Sequence, residues 1–321
     1  MRDQIKLEDS NPAKTSKVPV IAIVGPTGTG KTRLAIELAQ KLNGEIISGD
    51  SMQVYRKMDI GTAKATPQEQ KAAVHYLIDI QEYDQPYNVK IFQEKCRQSI
   101  EDIVNRNKVP IICGGTGLYI KAALYDYEFT DEQEDPELKA RFESLTNEAL
   151  VSFLKNNDPQ SLEKIHPNNR KRLIRACMMA CSGEKKTERE NKQNHEPIYD
   201  VFFIGLKADK KIVDERIEKR VDLMFEQGLV REVENLFSDP ESWEFTSFQG
   251  IGYKEFKDWF TKEKTLEEIR QAIIVHSRQY AKRQMTWFRN QMNVYWYDLN
   301  SLDQAIVAAG DFIHQRRDLF E

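Results

Sequence analysis

The stretch Gly25–Thr32, GPTGTGKT, constrains what this chain can fold into more than any other. It follows Val18–Val24, an apolar run rich in β-branched residues. Such a run, ended by glycine, predicts a strand buried on both faces, as in a parallel sheet. Beyond the glycines, apolar residues recur at helical spacing through Leu34, Ala35, Leu38 and Leu42. The octad meets G-x-x-x-x-G-K-[ST] at each fixed position, Gly25, Gly30, Lys31 and Thr32. Between a strand and a helix, such a loop turns its backbone N–H groups inward at a helix N-terminus, so it binds a di- or triphosphate. Lys31 is then expected on the terminal phosphate and Thr32 as a ligand of Mg²⁺. The pattern specifies neither a nucleotide nor hydrolysis.

The same alternation continues. Glu45–Ser48, Tyr76–Ile80 and Val109–Cys113 read as strands, with helices over Gln68–His75, Val89–Asn105 and from Tyr119. Strand and helix in turn predict an α/β fold: a parallel sheet of the P-loop NTPase kind, flanked by helices. Asp126–Asn194 has no strong strand and carries helical patterns over Pro136–Leu145, Leu150–Lys155 and Asn169–Cys181, with a charged loop at Lys185–Glu196. Asp200–Leu206 returns to the sheet, and Leu266–Asn290 reads as one long helix. The expected division is a flexible extension over 1–17, a core from 18–125 and 199–321, and a mostly helical insertion over 126–198.

No apolar run approaches the roughly 20 residues of a membrane span, and four cysteines without metal-type pairing suit a reducing cytoplasm. Cys177 and Cys181, one helical turn apart, are expected in core packing. The net charge of −4 signals no nucleic-acid partner globally. Locally, Lys164–Gly183 has no acid but carries Lys164, Arg170, Lys171, Arg172 and Arg175. Ile269–Tyr297 likewise has none, with Arg270, Arg278, Lys282, Arg283 and Arg289. Clearing carboxylates from two windows shapes a local positive field.

A nucleotide hydrolase also wants an acid at a strand end to hold Mg²⁺ or orient water. The strand VPIICGG ends in glycine, which leaves Asp50 after EIISG and Asp79 at the end of YLID. Asp50 falls at the carboxyl edge of the sheet beside the loop, but GDS is also good turn chemistry. Gly114–Ile120, GGTGLYI, is a second strand-to-helix glycine cluster and places Thr116 at the same edge.

GPTGTGKT, ISGDSMQVYRKMDIGTAK, VPIICGGTGLYIKAAL, IHPNNRKRLIRA, GIGYKEF and AKRQMTWFRN occur in that order from about Val20 to Tyr297. Together they resemble the tRNA dimethylallyltransferase (tRNA isopentenyltransferase) family. There are departures: Lys57 stands where glycine is common, and VHYLID replaces PHHLID. The resemblance implies that Gly25, Pro26, Thr27, Gly28, Thr29, Gly30, Lys31 and Thr32 hold dimethylallyl diphosphate. Arg220, favoured over Arg216, would help, and Mg²⁺ would be the cofactor. Diphosphate is then the leaving group, and the prenyl unit goes to the exocyclic amine of the adenine just 3′ of the anticodon. Asp50 would be the general base, with Lys31 and Thr116 also catalytic. Ser51, Met52 and Gln53 would line the adenine site. Lys139, Lys171, Arg172, Leu173, Ile174 and Arg175 of the insertion would contact the tRNA anticodon stem-loop, as would Arg278, Lys282, Arg283 and Arg289. A cytoplasmic monomer without membrane attachment is expected. The residues alone leave two other readings: a P-loop kinase using Asp50 or Asp79, and a non-catalytic RNA-binding switch.

Overall fold

A computed structural model describes residues 17–129, 135–181 and 196–320. The expected N-terminal extension, apart from Lys17, and the Lys185–Glu196 loop, apart from Glu196, lie outside them. The first compact unit runs to Tyr125 and resumes at Pro197; the second is Asp126–Glu196.

The first unit is an α/β fold built on one six-stranded sheet. Its strands are β1 (Pro19–Val24), β2 (Gly44–Ser48), β3 (His75–Tyr76), β4 (Val109–Gly114), β5 (Asp200–Lys207) and β6 (Tyr295–Asp298), in spatial order β3-β2-β4-β1-β5-β6. Every pairing is parallel; Ile23 lies between Cys113 of β4 and Ile204 of β5. All six residues of β1 are buried, which is why its sequence is continuously apolar rather than alternating. Helices α1 (Lys31–Lys41), α2 (Pro67–Ala72), α3 (Val89–Val104) and α4 (Gly117–Leu124) follow the first four strands or their loops. Leu34, Leu38, Ile21, Ile111 and Ile204 share one core cluster.

In the second unit, α5 (Pro136–Glu143), α6 (Asn147–Asn157), α7 (Ser161–Lys164) and α8 (Arg170–Cys181) surround a separate core. Leu150, Leu154, Leu173 and Cys177 have no exposure there, and the Cys177 thiol donates to the Leu150 carbonyl. Cys177 is a packing residue, as its apolar helix face predicts; Cys181 is exposed. The first unit then continues with α9 (Lys210–Glu226), α10 (Leu229–Phe237), α11 (Lys257–Phe260), α12 (Leu266–Gln291) and α13 (Leu302–His314).

The expected strand over Tyr76–Ile80 is corrected: only His75–Tyr76 pair with β2. Leu77 at φ 60° and Asp79 at φ 55° leave extended backbone. The cause is Lys64, almost fully buried, whose Nζ donates to the Tyr55 carbonyl at 2.8 Å and to Asp79 Oδ1 at 2.5 Å. With Asp59 and Asp79 the buried ammonium is satisfied where the ladder stops. Lys57 stands at φ 65°, a conformation glycine adopts without the Cβ penalty. That is the physical meaning of the departure at this position.

Because β2, β4 and β1 are neighbours and parallel, the loops leaving their carboxyl ends converge on one edge of the sheet. Those loops carry Asp50, Thr116 and the phosphate-loop octad.

Candidate active site

Gly25 opens the phosphate loop at φ 138°, with the Leu206 carbonyl oxygen 2.6 Å from where a Cβ would stand. No side chain fits, so β1 can turn under β5 only with glycine there. Gly30 begins α1 in the left-handed region, with no side-chain cap and no acid in the first turn. The helix N-terminus therefore presents uncapped N–H groups and an uncompensated positive end, which suits an anion.

Three cations reach this loop. Lys31 Nζ donates to the Pro26 carbonyl at 2.8 Å. From α9, Arg220 donates to Thr27 Oγ1 at 2.6 Å and Arg216 to the Gly28 carbonyl at 3.1 Å. The two arginines are one helical turn apart; Arg220 is half-buried and Arg216 exposed. Burial pulls the Lys31 ammonium down to about 8; Cys113 and Asp50 oppose that, and Arg220 adds to it. Burial also lowers the Arg220 guanidinium, with Asp50 again opposing. Two desolvated cations without a full countercharge form a site that an anionic ligand relieves.

Asp50 joins these cations from the end of β2. Gly49 N–H donates to the Cys113 carbonyl and Thr116 N–H to the Gly49 carbonyl, which fastens the β2 exit to the β4 exit. Ser51 N–H donates to Thr116 Oγ1 at 3.2 Å. Asp50 Oδ1 accepts Met52 N–H at 2.8 Å and Gln53 N–H at 3.4 Å. Asp50 is thus a turn residue through one oxygen. Among the described residues, Oδ2 carries no hydrogen bond. Its charge acts on Lys31, Arg220, Tyr119 and Tyr280.

Other sequence candidates land differently. Thr29 is 1% exposed and donates its hydroxyl to the Pro26 carbonyl, so its side chain braces the loop rather than facing a ligand. Gln53 spends its amide on Ser48 Oγ and the Thr62 and Ala63 carbonyls. Met52 packs on Gly250, whose missing side chain makes the space. The GIGY segment has a second task. Tyr253 donates its hydroxyl to Glu232, and that carboxylate also accepts the N–H groups of Asp59, Ile60 and Gly61. The loop that carries Asp50–Gln53 is pinned from beneath. Asp79, the other acid open to a kinase, is committed to Lys64.

Among the proposed RNA contacts, Lys171, Arg172 and Arg175 are exposed on α8, and Lys139 is half-buried on α5. Leu173 and Ile174 are corrected: at 0% and 9% exposure their side chains form the core of the second unit. The IHPNNRKRLIRA stretch alternates outward cations with inward aliphatics because it is an amphipathic helix. Arg278, half-buried, already has partners within the protein. It pairs with Glu218 at 2.7 Å and lies 3.8 Å from Asp214, both on α9. It binds α12 to α9, whereas Lys282, Arg283 and Arg289 are exposed. Arg283 stands 5.8 Å over the Tyr280 ring and Arg289 5.8 Å over the Trp296 ring.

Two residues that the sequence reading did not single out stand at the centre. Gln284, 6% exposed, accepts Thr27 N–H through Oε1 at 3.0 Å and donates through Nε2 to the Gly115 carbonyl at 3.0 Å. Tyr280 lies one turn earlier; burial raises its hydroxyl pKa, with Asp50 adding to the rise. Trp287 completes the stripe, and its ring fills the space a Gly117 side chain would need. The available signal was helical spacing, 280, 284 and 287, inside a window read only for its cations.

The arrangement can hold a diphosphate against two cations with a carboxylate close by. The family model for IPP transferase matches residues 53–291. A tRNA dimethylallyltransferase of Bacillus cytotoxicus is 49% identical over 285 residues, covering 87% of this chain and 90% of its own. One from Bacillus thuringiensis is 47% identical over 298 residues, covering 91% and 92%. Among solved structures, a tRNA isopentenylpyrophosphate transferase from Bacillus halodurans has a TM-score of 0.70 at 40% identity, covering 95% of this chain and 98% of that one. A eukaryotic dimethylallyltransferase acting on tRNA has a TM-score of 0.81 at 31% identity, covering 93% and 80%. Sequence, fold and loop chemistry agree, and this chain belongs to the IPP transferase family.

Proposed function

We propose that this chain transfers a dimethylallyl group from dimethylallyl diphosphate to the exocyclic amine of the adenine 3′-adjacent to the anticodon in tRNA, releasing diphosphate. The observation that carries it is the meeting of an uncapped phosphate loop, two desolvated cations and the Asp50 carboxylate at one sheet edge. A kinase reading loses its second acid, because Asp79 is bound to Lys64.

In this reading the allylic carbon–oxygen bond breaks and its electron pair stays on the diphosphate. Loop N–H groups, Lys31 and Arg220 stabilise the growing negative charge. The adenine amine supplies the new carbon–nitrogen bond. Its lone pair is delocalised into the ring, so transfer of its proton to Asp50 Oδ2 as the bond forms lowers the barrier. The adenine must leave its stack to reach this edge. Exposed cations on α12 and α8 are the proposed RNA contacts, by the phosphate attraction common to nucleic-acid binders.

Mg²⁺ fits the donor set only with help from substrate. Among the described residues no group of three or more His, Cys, Asp or Glu could hold a metal ion. Mg²⁺ characteristically shares its shell between one or two protein oxygens and substrate phosphates. Thr32, half-buried in the first turn of α1, would be its protein ligand. When bound, the ion supplies further neutralisation of phosphate charge. Among the described residues no helix is long and apolar enough to cross a membrane, and a cytoplasmic monomer completes the reading.

The test is direct. Protein, dimethylallyl diphosphate, Mg²⁺ and an unmodified tRNA with adenine at that position should yield tRNA carrying one added prenyl mass. Absence of the product, with ATP turned over without RNA, would replace this reading by a kinase.

Two further results follow. With Lys31 at about 8 in the free protein, a bound diphosphate favours the charged form and raises it. Donor binding then takes up a proton as pH passes 8, and affinity falls above that pH. The limit is roughly tenfold per pH unit for one linked proton. Calorimetry in two buffers of different ionisation enthalpy reads the uptake, which Lys31→Arg should abolish. Second, Lys282→Ala and Arg283→Ala should each lower the log–log salt slope of tRNA binding by about 0.7–0.9 per lost phosphate contact. Arg278→Ala should leave that slope unchanged and lower the melting temperature, because its partners are on α9. An equal slope change at Arg278 would show that the pair with Glu218 opens to RNA.

A further inference from the structure

The geometry points to Gln284 as the positioning residue that sets the separation of donor and acceptor. This inference rests on the transferase reading above. One side-chain amide joins the loop that holds the diphosphate to the loop that carries Thr116. Its oxygen accepts Thr27 N–H and its nitrogen donates to the Gly115 carbonyl, both at 3.0 Å. A neutral amide is suited to this, since it accepts and donates from adjacent atoms. Glutamate could only accept, and an aliphatic residue would leave two buried backbone groups without partners.

The surroundings are shaped to this contact. A Cβ at Gly115 would stand 2.1 Å from Gln284 Nε2, and one at Gly117 2.1 Å from Trp287 Cε3. The second glycine cluster is bare where the 280–284–287 stripe of α12 presses on it. Gly115, which Gln284 holds, directly precedes Thr116, and Thr116 receives Ser51 N–H beside Asp50. Thr27 is held from a second side by Arg220 on its hydroxyl. Its N–H and hydroxyl are both engaged within the protein, so Thr27 serves as the anchor of the loop. The chain of contacts runs from the phosphate loop through Gln284 to the Gly115–Thr116 turn and on to Ser51. It fixes where the allylic carbon sits relative to Asp50.

The consequence is a rate effect without a binding effect. Gln284→Asn keeps polarity but is one methylene short, so neither bond is reached. The diphosphate retains the uncapped helix end, Lys31 and Arg220, and the tRNA retains its surface cations. Saturated single-turnover rate should fall by roughly 10- to 100-fold, the scale of an ångström-level misplacement. Affinities for dimethylallyl diphosphate and tRNA should stay within about threefold, the pattern of an interaction felt only in the transition state. In parallel, hydrogen exchange should accelerate at Thr27, whose N–H the amide oxygen covers, and over 114–120 as the Gly115 carbonyl loses its tie. If Gln284→Asn does not fold, Gln284→Met is read in the same way, because it keeps length and neutrality and loses both hydrogen bonds. A normal rate in the folded variant overturns the inference. So does donor affinity lost in step with rate, which would make Gln284 a ligand. A lowered melting temperature with full turnover per folded molecule would make it packing only, and also overturns it. Failure of the wild type to prenylate tRNA would strike the functional reading instead; the exchange comparison would still decide whether Gln284 ties the two loops.

Discussion

Asp50→Asn is expected to slow prenyl transfer by roughly 10²–10⁴-fold, the usual worth of a general base. That is about 3–5 kcal/mol of barrier at 1.36 kcal/mol per decade. The two oxygens of this carboxylate have separate duties. Oδ1 accepts Met52 N–H and Gln53 N–H and closes the turn, whereas Oδ2 is the oxygen assigned to the adenine proton. Asparagine keeps an acceptor for the turn and replaces the other oxygen by an amide that cannot take a proton. The variant should therefore melt close to wild type. Donor affinity should change little, since loop and cations hold the diphosphate. Transfer-RNA affinity should fall by no more than one charged hydrogen bond, about 1.5–3 kcal/mol. A role in holding Mg²⁺ gives another pattern: donor affinity drops with the rate, and excess Mg²⁺ restores part of both. Single-turnover rates, donor titrations and a melting curve on this one variant separate the possibilities. A rate loss under about tenfold with a normal melt would remove Asp50 from the chemistry, well below what a base contributes.

Arg220→Ala should cost about 10²–10³ in the rate of transfer, comparable to removing one preorganised donor from a developing oxyanion. Arg220 acts in two ways at once. Its guanidinium is a desolvated positive charge beside the loop, and its hydrogen bond at 2.6 Å holds Thr27. Negative charge on the diphosphate grows as the carbon–oxygen bond opens, so the transition state should lose more than the bound donor does. Donor affinity is expected to weaken, but by less than the rate. Arg220→Lys keeps the charge and loses the planar fork, so it should recover only part of the loss. Arg216, exposed and bonded to the Gly28 carbonyl, should matter far less; exposed charges are strongly screened. Donor affinity lost with the saturated rate unchanged would mean uniform binding with no preference for the transition state. A larger effect at Arg216 than at Arg220 would reverse the assignment between them.

The phosphate loop, the alternation of strands and helices and the long helix were legible in the residue order because each rests on short-range rules. A β-branched apolar run, a fixed glycine spacing and a 3.6-residue apolar period all act within a few positions, and β1, α1 and α12 follow them closely. Asp50 and Thr116 could be placed at the sheet edge for the same reason, since a parallel strand delivers its next residues to its carboxyl end. The role of the basic residues was not legible. Arg278 and Lys282 are both cations on α12, and only the tertiary structure shows that the first is paired with Glu218 on another helix. Leu173 and Ile174 sit among exposed arginines in a motif, yet face inward because α8 must bury an apolar stripe against α5 and α6.

Gln284 marks the limit most clearly. Its two hydrogen bonds join positions 257 and 169 residues away along the chain. A glutamine in a helix has no local pattern that announces such partners, because an amide's value depends on what it meets in three dimensions. Asp79 shows the converse: it looked like a strand-end acid until folding brought Lys64 against it. What the residue order determined was the set of elements and the edge where their loops meet. Which polar side chains there are free, and which are consumed in holding the loops together, was decided only by tertiary packing. The reason is physical: burial makes every unmet donor or acceptor costly, and the partners that meet them come from distant parts of the chain.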